Sequence, residues 1–321
     1  MKFIFSLLPL VPLALSAAEH KAYTDPSSTD KDFTIQGEYS GEMNGKKTGI
    51  QIIAKGDGKF EAVGYQGGLP GDGWNGKKDK VMHAEGSREE GATTVVFKGD
   101  GLNGEADGVK FFTHKRDRHG KEIELARVDR KSPTLGEKPP EGAIVLFGEG
   151  KNDFTGSSVT EDGLLTQGAT STEKFNDFTL HIEFRLPYMP DASGQERGNS
   201  GLYLQGRYEV QMLDSFGLEG KDNECGGIYQ VSEPDVNMCF SPLTWQTYDV
   251  EFKAAKFDRK GEKKSNAEVT IKHNGVIIHK DLELPGVTGG AMSKESAEPG
   301  PIYLQNHGNP VRYRNIWVIK K

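Results

Sequence analysis

The sequence predicts an all-β protein in which a two-sheet antiparallel sandwich follows a small antiparallel β domain. Glycine supplies 41 of the 321 residues, a proportion typical of a chain with many turns. Short runs of apolar, branched and aromatic residues recur between turn signals such as Asn44-Gly45 and Asp100-Gly101. No segment carries a convincing amphipathic helical pattern, so strands must bury most of the apolar residues.

Residues 1–18 have the pattern of a secretory signal peptide. Lys2 provides a positive start, residues 3–15 are mostly apolar, and Ser16-Ala17-Ala18 offers a small-residue cleavage site. The apolar run is shorter than the ~20 residues that a membrane-spanning helix needs. We therefore expect an exported protein, periplasmic or extracellular after cleavage, without membrane insertion.

Residues 32–130 are predicted to form the small antiparallel β domain. Seven strand-like runs lie in this part of the chain, at 33–39, 49–54, 60–65, 81–85, 93–98, 109–112 and 123–128. Residues 131–142 contain three prolines with charged residues between them, which is typical of a linker. This Pro-rich segment is the predicted domain boundary.

The second domain, residues 143–321, contains the clearest strand patterns. From Phe178 to Leu186, apolar residues alternate with polar ones, as expected for a strand with one buried face. The dipeptide Asn274-Gly275 is the strongest hairpin signal in the chain. A domain of about 180 residues can bury a sizeable core on its own.

Another hairpin is predicted at residues 202–213, with a two-residue connection at Gly206-Arg207. Side chains alternate between the two faces of a strand, so polar and apolar residues separate onto opposite faces here. The residues that share a face are Tyr203 with Gln205 on the first strand and Glu209 with Gln211 on the second. Two interpretations of this polar face stay open: either it lines a groove, or it is simply solvated.

Asp214 lies out of phase with that polar face, three positions after Gln211. Only a β-bulge would bring its carboxylate to the side of Glu209, and bulges are common beside active sites.

The formal net charge of −7 gives no electrostatic support for binding to nucleic acid. The two cysteines, Cys225 and Cys239, would form a disulfide in an oxidising compartment, closing a loop of 14 residues. In the chain-entropy model such a loop stabilises the fold by roughly 3 kcal/mol. The alternative is two free buried thiols.

Five segments together resemble the 3-keto-disaccharide hydrolase domain family, which is common in secreted bacterial proteins, including those of planctomycetes. They are NSGLYLQGRYEVQMLDS (199–215), ECGGIYQ (224–230), WQTYDVEFKAAKFD (245–258), HNGVIIH (273–279) and LQNHGNPVRYRNIWV (304–318). The resemblance covers roughly residues 143–321 and implies a concanavalin A-like jelly roll. It attaches no activity to the N-terminal β domain.

The resemblance implies cleavage of the glycosidic bond in 3-keto-glycosides and 3-keto-disaccharides. A ketone at C3 acidifies the hydrogen on C2, so a base removes that proton, the C1 oxygen leaves, and water adds back. The catalytic candidates are Glu209 as base, His307 as acid or base, and Asp214 if a bulge brings it to them. Arg207, Arg314 or a divalent cation such as calcium would stabilise the enolate oxygen.

The substrate-binding candidates are aromatic, amide and basic residues of the same segments, namely Tyr203, Gln205, Arg207, Gln211, Trp245 and Arg314. For Tyr203 and Trp245, stacking on a sugar and packing in the core are both open. The alternatives for His307 and Arg314 are a loop histidine satisfied by backbone groups and an exposed strand charge. Asp214 and Glu224 offer oxygen ligands for a structural calcium ion.

Two other functions compete with this hypothesis. Laminarinase-type glucanases of related architecture carry Glu-x-Asp-x-x-Glu, where this chain has Glu209-x-Gln211-x-x-Asp214. Because glutamine does not ionise, the pair of carboxylates that a retaining glycosidase needs is doubtful. A non-catalytic carbohydrate-binding module on the same fold is the stronger alternative. The ionisable set of Glu209, Asp214 and His307 favours an enzyme.

Overall fold

The computed structural model describes residues 20–43, 45–116, 120 and 122–321. The predicted signal peptide, residues 1–18, lies outside these residues, so export stays a prediction. The described part of the chain is all-β, as predicted: its helical turns are three 3₁₀ segments, at Pro26–Ser28, Lys78–Lys80 and Gly194–Glu196. No helix in this part is both long and apolar enough to span a membrane.

The first eight strands form a closed antiparallel barrel in which each strand pairs with the next and β8 pairs with β1. Their bounds are β1 Gly37–Met43, β2 Lys46–Ala54, β3 Lys59–Gln66, β4 Met82–Ser87, β5 Val95–Asp100, β6 Gly104–Ala106, β7 Lys110–Arg116 and β8 Glu122–Val128. Alternate side chains fill the interior. Phe97 and Phe111 meet there with ring centroids 5.9 Å apart, and Gly86 leaves the space that the Phe97 ring occupies.

The rest of the chain forms a two-sheet sandwich. Its strands are β9 Ile144–Gly148, β10 Lys151–Asn152, β11 Phe154–Thr155, β12 Leu165–Thr166, β13 Ala169–Phe175, β14 Phe178–Arg185, β15 Ser200–Leu204, β16 Tyr208–Met212, β17 Trp245–Lys253, β18 Lys256–Phe257, β19 Lys263–Ser265, β20 Ala267–His273, β21 Val276–Leu284, β22 Gly300–Leu304 and β23 Arg312–Lys320. The large sheet has the order β10-β9-β23-β14-β17-β20-β21, with β12 also paired to β23. The small sheet has the order β11-β13-β22-β15-β16, and β18 pairs with β19 separately.

Both sheets are antiparallel, as a jelly-roll sandwich requires, and they enclose one apolar core. The apolar face predicted for β14 is confirmed, because Phe178, Leu180, Ile182 and Phe184 all lie in that core without exposure. The opposite face is not solvated as expected, since His181 and Glu183 are also buried there and Glu183 bonds to the Pro-rich segment. The hairpin predicted at Asn274-Gly275 is also confirmed: both residues have positive φ, at 50° and 80°, and they connect β20 to β21.

The hairpin formed by β15 and β16 differs from its prediction at the turn. The first strand ends at Leu204, which pairs with Tyr208, so three residues and not two connect the strands. Gln205 and Gly206 both have positive φ, at 54° and 65°. This left-handed pair turns Gln205 out of the strand, and it does not share a strand face with Tyr203.

The Pro-rich segment between barrel and sandwich lies against the large sheet. The Oγ atoms of Ser132 and Thr247 are 2.6 Å apart, the Thr134 hydroxyl donates to Asp249 over 2.7 Å, and the amide of Gly136 donates to Glu183 over 2.6 Å. The division of the chain at residues 131–142 stays a prediction about domains.

Candidate active site

A polar cavity of about 310 Å³ lies on the face of the small sheet that points away from the core. Four residues named in the sequence analysis line it: Tyr203, Glu209, Gln211 and His307. The other lining residues are Gln195, Asn199, Tyr229, Gln230, Gly289, Gly290 and Gln305. The predicted phase is confirmed here, because Glu209 and Gln211 face the cavity while Val210 and Met212 lie in the core.

The Glu209 side chain is buried at the wall of the cavity, with 3% of its surface exposed. Tyr203 lies directly opposite on β15, and its hydroxyl oxygen is 2.8 Å from Oε2 of Glu209. Burial raises the pKa of Glu209 to about 7, although the hydrogen bond from Tyr203 acts in the opposite direction. Glu209 is therefore placed to gain or lose its proton near neutral pH.

Two glycines make room for this pair. A Cβ on Gly201 would lie 2.2 Å from Oε1 of Glu209, so the carboxylate occupies space that any other residue at 201 would fill. A Cβ on Gly290 would lie 2.5 Å from the Tyr203 hydroxyl. The Gly289–Gly290 segment thus packs tightly over Tyr203, whose hydroxyl is also 2.8 Å from the Gly289 carbonyl oxygen.

A row of amides forms another wall of the cavity. Nε2 of Gln211 donates to Oδ1 of Asn199 over 2.8 Å, and Nδ2 of Asn199 donates to the carbonyl oxygen of Gln195 over 2.8 Å. The backbone N–H of Asn199 donates to Oδ1 of Asn309 over 2.7 Å, which ties this wall to the loop that carries His307. Amide groups fixed in this way can bind sugar hydroxyls as donors and acceptors.

His307 lies at the exposed rim of the cavity, in the loop that follows β22. Gln305 precedes it and is half-buried, with Nε2 donating to the Tyr203 hydroxyl over 3.2 Å. The structure therefore brings His307 to the same cavity as Glu209. The exposure of the rim leaves the His307 ring accessible to a molecule that enters the cavity.

Asp214 is absent from this cavity, which corrects its expected placement. Its Oδ2 accepts a 2.6 Å hydrogen bond from Nε of Arg197 in a buried ion pair. β16 ends at Met212 and pairs regularly with β15 along its whole length, so no bulge follows Gln211 within the strand.

Gln205 and Arg207 also lie elsewhere, because the turn between β15 and β16 carries them away from the polar face. Nε2 of Gln205 donates to the carbonyl oxygen of Phe175 over 2.8 Å. Both side chains are buried, and the Arg207 guanidinium donates to Ser296 and to the Glu298 carbonyl oxygen. These bonds fix the loop that follows β21 and leave neither residue to line the cavity.

Trp245 and Arg314 belong to the large sheet and not to the cavity. The Arg314 guanidinium carbon lies 4.0 Å from the centre of the Trp245 ring, and Nε of Arg314 donates to Glu183 over 2.7 Å. Trp245 and Arg314 therefore do not line the cavity beside Glu209, where they were expected as substrate-binding residues. Arg207 and Arg314 do not supply the enolate stabiliser that was expected from them.

The calcium pair suggested by the sequence has protein partners in the structure. Asp214 is paired with Arg197, and Oε2 of Glu224 accepts the amide hydrogens of Gly220 and Lys221. Among the described residues, the His, Asp and Glu side chains that could hold a metal as a group of three are Glu137, His181 and Asp249, on the large sheet. The described side chains that line the cavity do not form such a group.

Cys225 and Cys239 are both free and buried in the structure. The two thiols are neighbours in the apolar core of the sandwich. Sγ of Cys225 is also 3.2 Å from the Tyr248 hydroxyl. The disulfide stays a prediction about the protein in an oxidising compartment.

Apart from Gln211, the amides that line the cavity were not singled out from the sequence. Asn199 has the same parity as Gly201 and Tyr203, which is a signal for one shared strand face. Gln305 belongs to the end of the strand-like run at 302–305. Gln195, Tyr229 and Gln230 reach the cavity from loops, where no periodic pattern identifies them.

Known protein families and solved structures were compared with the chain. A family model described as 3-keto-alpha-glucoside-1,2-lyase-like domain matches residues 142–319, which is more than half of the chain. The chain belongs to this family. The match contains every residue that lines the cavity. It confirms the family resemblance inferred from the five sequence segments.

Among solved structures, the chain resembles a "putative glycosyl hydrolase" from Parabacteroides distasonis with 33% identity and a TM-score of 0.51. The similarity covers 57% of this chain and 85% of that protein. Another Parabacteroides distasonis protein with the same description has 17% identity and a TM-score of 0.39, covering 56% of this chain and 99% of its own, which is too distant to carry an argument. No curated protein matches the chain. The family and the first neighbour support the coarser prediction of a carbohydrate-active protein that acts on glycosides.

Proposed function

We propose that the chain cleaves the glycosidic bond of 3-keto-glycosides by elimination followed by hydration, with Glu209 as the base. The observation that supports this most is a single carboxylate, buried in the wall of an open polar cavity and hydrogen-bonded to Tyr203. A general base works best when its pKa is near the working pH, and burial brings the pKa of Glu209 to about 7.

Glu209 and His307, which line the cavity, can carry out the proton transfers of this reaction. The Glu209 carboxylate takes the proton from C2, and the C2–H electron pair moves to form the enolate of the C3 ketone. The enolate then re-forms the ketone, a C1–C2 double bond develops, and the C1–O bond breaks. His307 gives a proton to the departing oxygen. Water finally adds to C1 and a proton returns to C2, so the net reaction is hydrolysis.

The amide row supports the binding part of this proposal. Gln195, Asn199, Gln211 and Gln305 present neutral donors and acceptors around Glu209. Such groups bind sugar hydroxyls without bringing a permanent charge close to the base. Tyr203 belongs to this machinery as the donor that orients the Glu209 carboxylate, because its ring is fully buried and its hydroxyl is directed at Oε2.

The direct test is incubation with aryl 3-keto-glucosides beside the same glucosides without the ketone, with release of the aryl group as the readout. We expect release from the 3-keto compounds alone. A deuterium label at C2 should slow the reaction by a primary isotope effect if proton abstraction limits the rate. Equal release from both sugars would contradict the elimination mechanism.

The variant that tests Glu209 is Glu209→Gln, which keeps the shape of the side chain and removes the base. Turnover should fall by about 10²-fold or more. The matched control is Glu251→Gln, an exposed carboxylate on β17 of the large sheet. Binding of sugars without turnover in the unaltered protein would favour the carbohydrate-binding module instead.

A further inference from the structure

The loop between β14 and β15, residues 186–199, leaves the sandwich and returns carrying two lining residues of the cavity. These are Gln195 and Asn199, two members of the amide row. Loops of this length are usually the mobile part of a fold. What holds this loop therefore decides whether the amide row has a fixed geometry.

The first anchor of the loop is Tyr188, which lies in the core of the N-terminal barrel. Its side chain has no exposed surface and packs with that core. Its hydroxyl donates to Oδ1 of Asp30 over 3.0 Å. The backbones of Tyr188 and Tyr23 exchange two hydrogen bonds of 2.9 Å, so the segment ahead of the barrel pairs with the loop.

The second anchor is Arg197, whose side chain is buried and bonds to three parts of the molecule. Nε donates to Oδ2 of Asp214 over 2.6 Å. Nη1 and Nη2 both donate to the carbonyl oxygen of Ala54, the last residue of β2 in the barrel, over 3.2 and 3.3 Å. Nη1 also lies 3.4 Å from the carbonyl oxygens of Pro190 and Ala192 within the loop.

Only an arginine can make this set of bonds, because its planar guanidinium carries five N–H donors in a fixed fork. A lysine would keep the ion pair with Asp214 and lose most of the bonds to carbonyl groups. The barrel thus supplies one hydrogen-bond acceptor for Arg197, the Ala54 carbonyl oxygen, in addition to those in the sandwich.

Arg197 is two residues from Asn199, whose side chain connects the loop to the cavity. Oδ1 of Asn199 accepts from Gln211, and Nδ2 donates to the carbonyl oxygen and to Oε1 of Gln195 over 2.8 and 3.1 Å. The chain of contacts therefore runs from the barrel through Arg197 to the amide row. A displacement of the amide row would lengthen and misalign the hydrogen bonds that it offers to a bound sugar, and so weaken substrate binding.

We propose that the N-terminal barrel serves as a support for one wall of the cavity, and that Arg197 is the positioning residue through which it does so. This inference rests on the proposed function only in that the cavity is taken as the substrate site. It gives the barrel a task in substrate binding, in addition to its own folding.

The first test compares Arg197→Lys with Arg185→Lys in the full chain. A further variant, Arg130→Lys, is the matched control because Arg130 also pairs with a buried carboxylate, Glu38, and donates to one backbone carbonyl, that of Pro70, away from the loop. Arg185 holds Thr24 beside the segment that pairs with Tyr188, so Arg185→Lys reports on the first anchor. For Arg197→Lys we expect KM for a 3-keto-glucoside to rise about 10-fold with little change in kcat. We also expect amide hydrogen exchange of residues 189–199 to become about 10-fold faster, with β15 and β16 unchanged.

A second pair of variants perturbs the loop from the barrel side. A Cβ on Gly56 would meet Oδ1 of Asp191 in the loop, whereas one on Gly58 in the same turn would meet Arg88 of the barrel. Both glycines have positive φ, at 79° and 72°, so Gly56→Glu and Gly58→Glu carry similar backbone strain and the same added charge. Only Gly56→Glu should speed exchange in residues 189–199.

The exchange measurement needs no substrate, so it separates this inference from the proposed function. A wild-type protein without turnover of 3-keto-glucosides would refute the function, and loop exchange would still decide the role of the barrel. Unchanged exchange of residues 189–199 in both Arg197→Lys and Gly56→Glu would overturn the inference. If Arg197→Lys fails to fold, the comparison of the two glycine variants decides the role of the barrel.

Discussion

Tyr203 and Glu209 face each other across β15 and β16, and the Tyr203 hydroxyl donates a 2.8 Å hydrogen bond to Oε2 of Glu209. Two effects compete at this carboxylate. Burial disfavours the ionised form and raises its pKa, while the hydrogen bond favours the ionised form. Burial is the larger effect, and the pKa of Glu209 settles at about 7.

Removing the hydroxyl should therefore move the pH dependence of turnover. In Tyr203→Phe the pKa of Glu209 loses the effect that lowers it, so the acidic limb of the kcat/KM profile should shift to higher pH. Profiles from pH 5 to 9 with a 3-keto-glucoside measure this shift. The control is Tyr303→Phe, whose ring lies 5.4 Å from that of Tyr203. If the acidic limb lies at the same pH in both variants, the Tyr203 hydroxyl does not influence the pKa of Glu209.

The raised pKa also makes Glu209 a cost to stability above neutral pH. Between its ordinary value of 4.5 and about 7, the folded protein keeps a proton that the unfolded chain has released. The free energy of unfolding therefore falls as pH rises through this window, and the loss is complete above pH 7. A shift of this size corresponds to roughly 3 to 3.5 kcal/mol, since each pKa unit is worth about 1.4 kcal/mol.

Glu209→Gln should accordingly be more stable than wild type at pH 8, by up to that amount, and nearly equal to it at pH 4. Urea unfolding at the two pH values gives the comparison. Glu251→Gln, at an exposed position, should show no such difference. If Glu209→Gln is less stable than wild type at pH 8, the ionised Glu209 carboxylate stabilises the fold and this prediction is wrong.

The space around Glu209 offers a second way to displace it. In Gly201→Ala the new Cβ would lie 2.2 Å from Oε1, so the carboxylate must move away from its present position. We expect turnover to fall by about 10-fold or more, as for other misplaced catalytic groups. Gly286→Ala is the control because its Cβ would meet nothing within 4 Å. Full activity in Gly201→Ala would show that the position of Oε1 is not critical.

The predictable part of the site was the part with local periodicity. Glu209 and Gln211 share a face because strand side chains alternate, and that rule needs no knowledge of distant residues. Gln205 does not follow this alternation, because Gln205 and Gly206 both have positive φ and the strand ends at Leu204. A glycine at 206 alone did not reveal that Gln205 also adopts this conformation.

The unpredicted part depends on which strands become neighbours. Trp245 and Arg314 stand on β17 and β23, and both strands flank β14 in the large sheet. Their separation from Glu209 follows from the sheet order, which joins strands that are far apart in sequence. Asp214 was misplaced for a related reason: its partner, Arg197, reaches it from a loop that also bonds to the barrel.

The cysteines give a prediction that depends on compartment. Cys225 and Cys239 are free in the structure, with adjacent thiols. In protein recovered from an oxidising compartment we expect a disulfide between them, stabilising the fold by roughly 3 kcal/mol. Mass spectrometry of a non-reduced tryptic digest should show the cross-linked peptides. Two alkylatable thiols after denaturation would contradict this expectation.

The last prediction concerns Glu183, which joins the Pro-rich segment to the large sheet. Its Oε1 accepts from the amide of Gly136 over 2.6 Å and from Asn315 over 2.9 Å, and its Oε2 accepts from Arg314 over 2.7 Å. Burial alone would raise the pKa of Glu183, but the His181 ring, with Nε2 3.7 Å from Oε1, and these hydrogen-bond donors hold it at about 2. Its contribution to stability is therefore present above its ordinary pKa of 4.5 and is lost as pH falls through 2.

Glu183→Ala should lower the free energy of unfolding by about 3 to 5 kcal/mol at pH 7, because it leaves buried donors and positive charge without a partner. Urea unfolding measures the loss, and amide exchange of residues 132–137 should become faster since the Gly136 amide loses its acceptor. Glu251→Ala, exposed on the neighbouring strand β17, should change stability by less than about 0.5 kcal/mol. A loss below about 1 kcal/mol for Glu183→Ala would mean that water replaces the carboxylate, and that the Pro-rich segment is held by Ser132 and Thr134 instead.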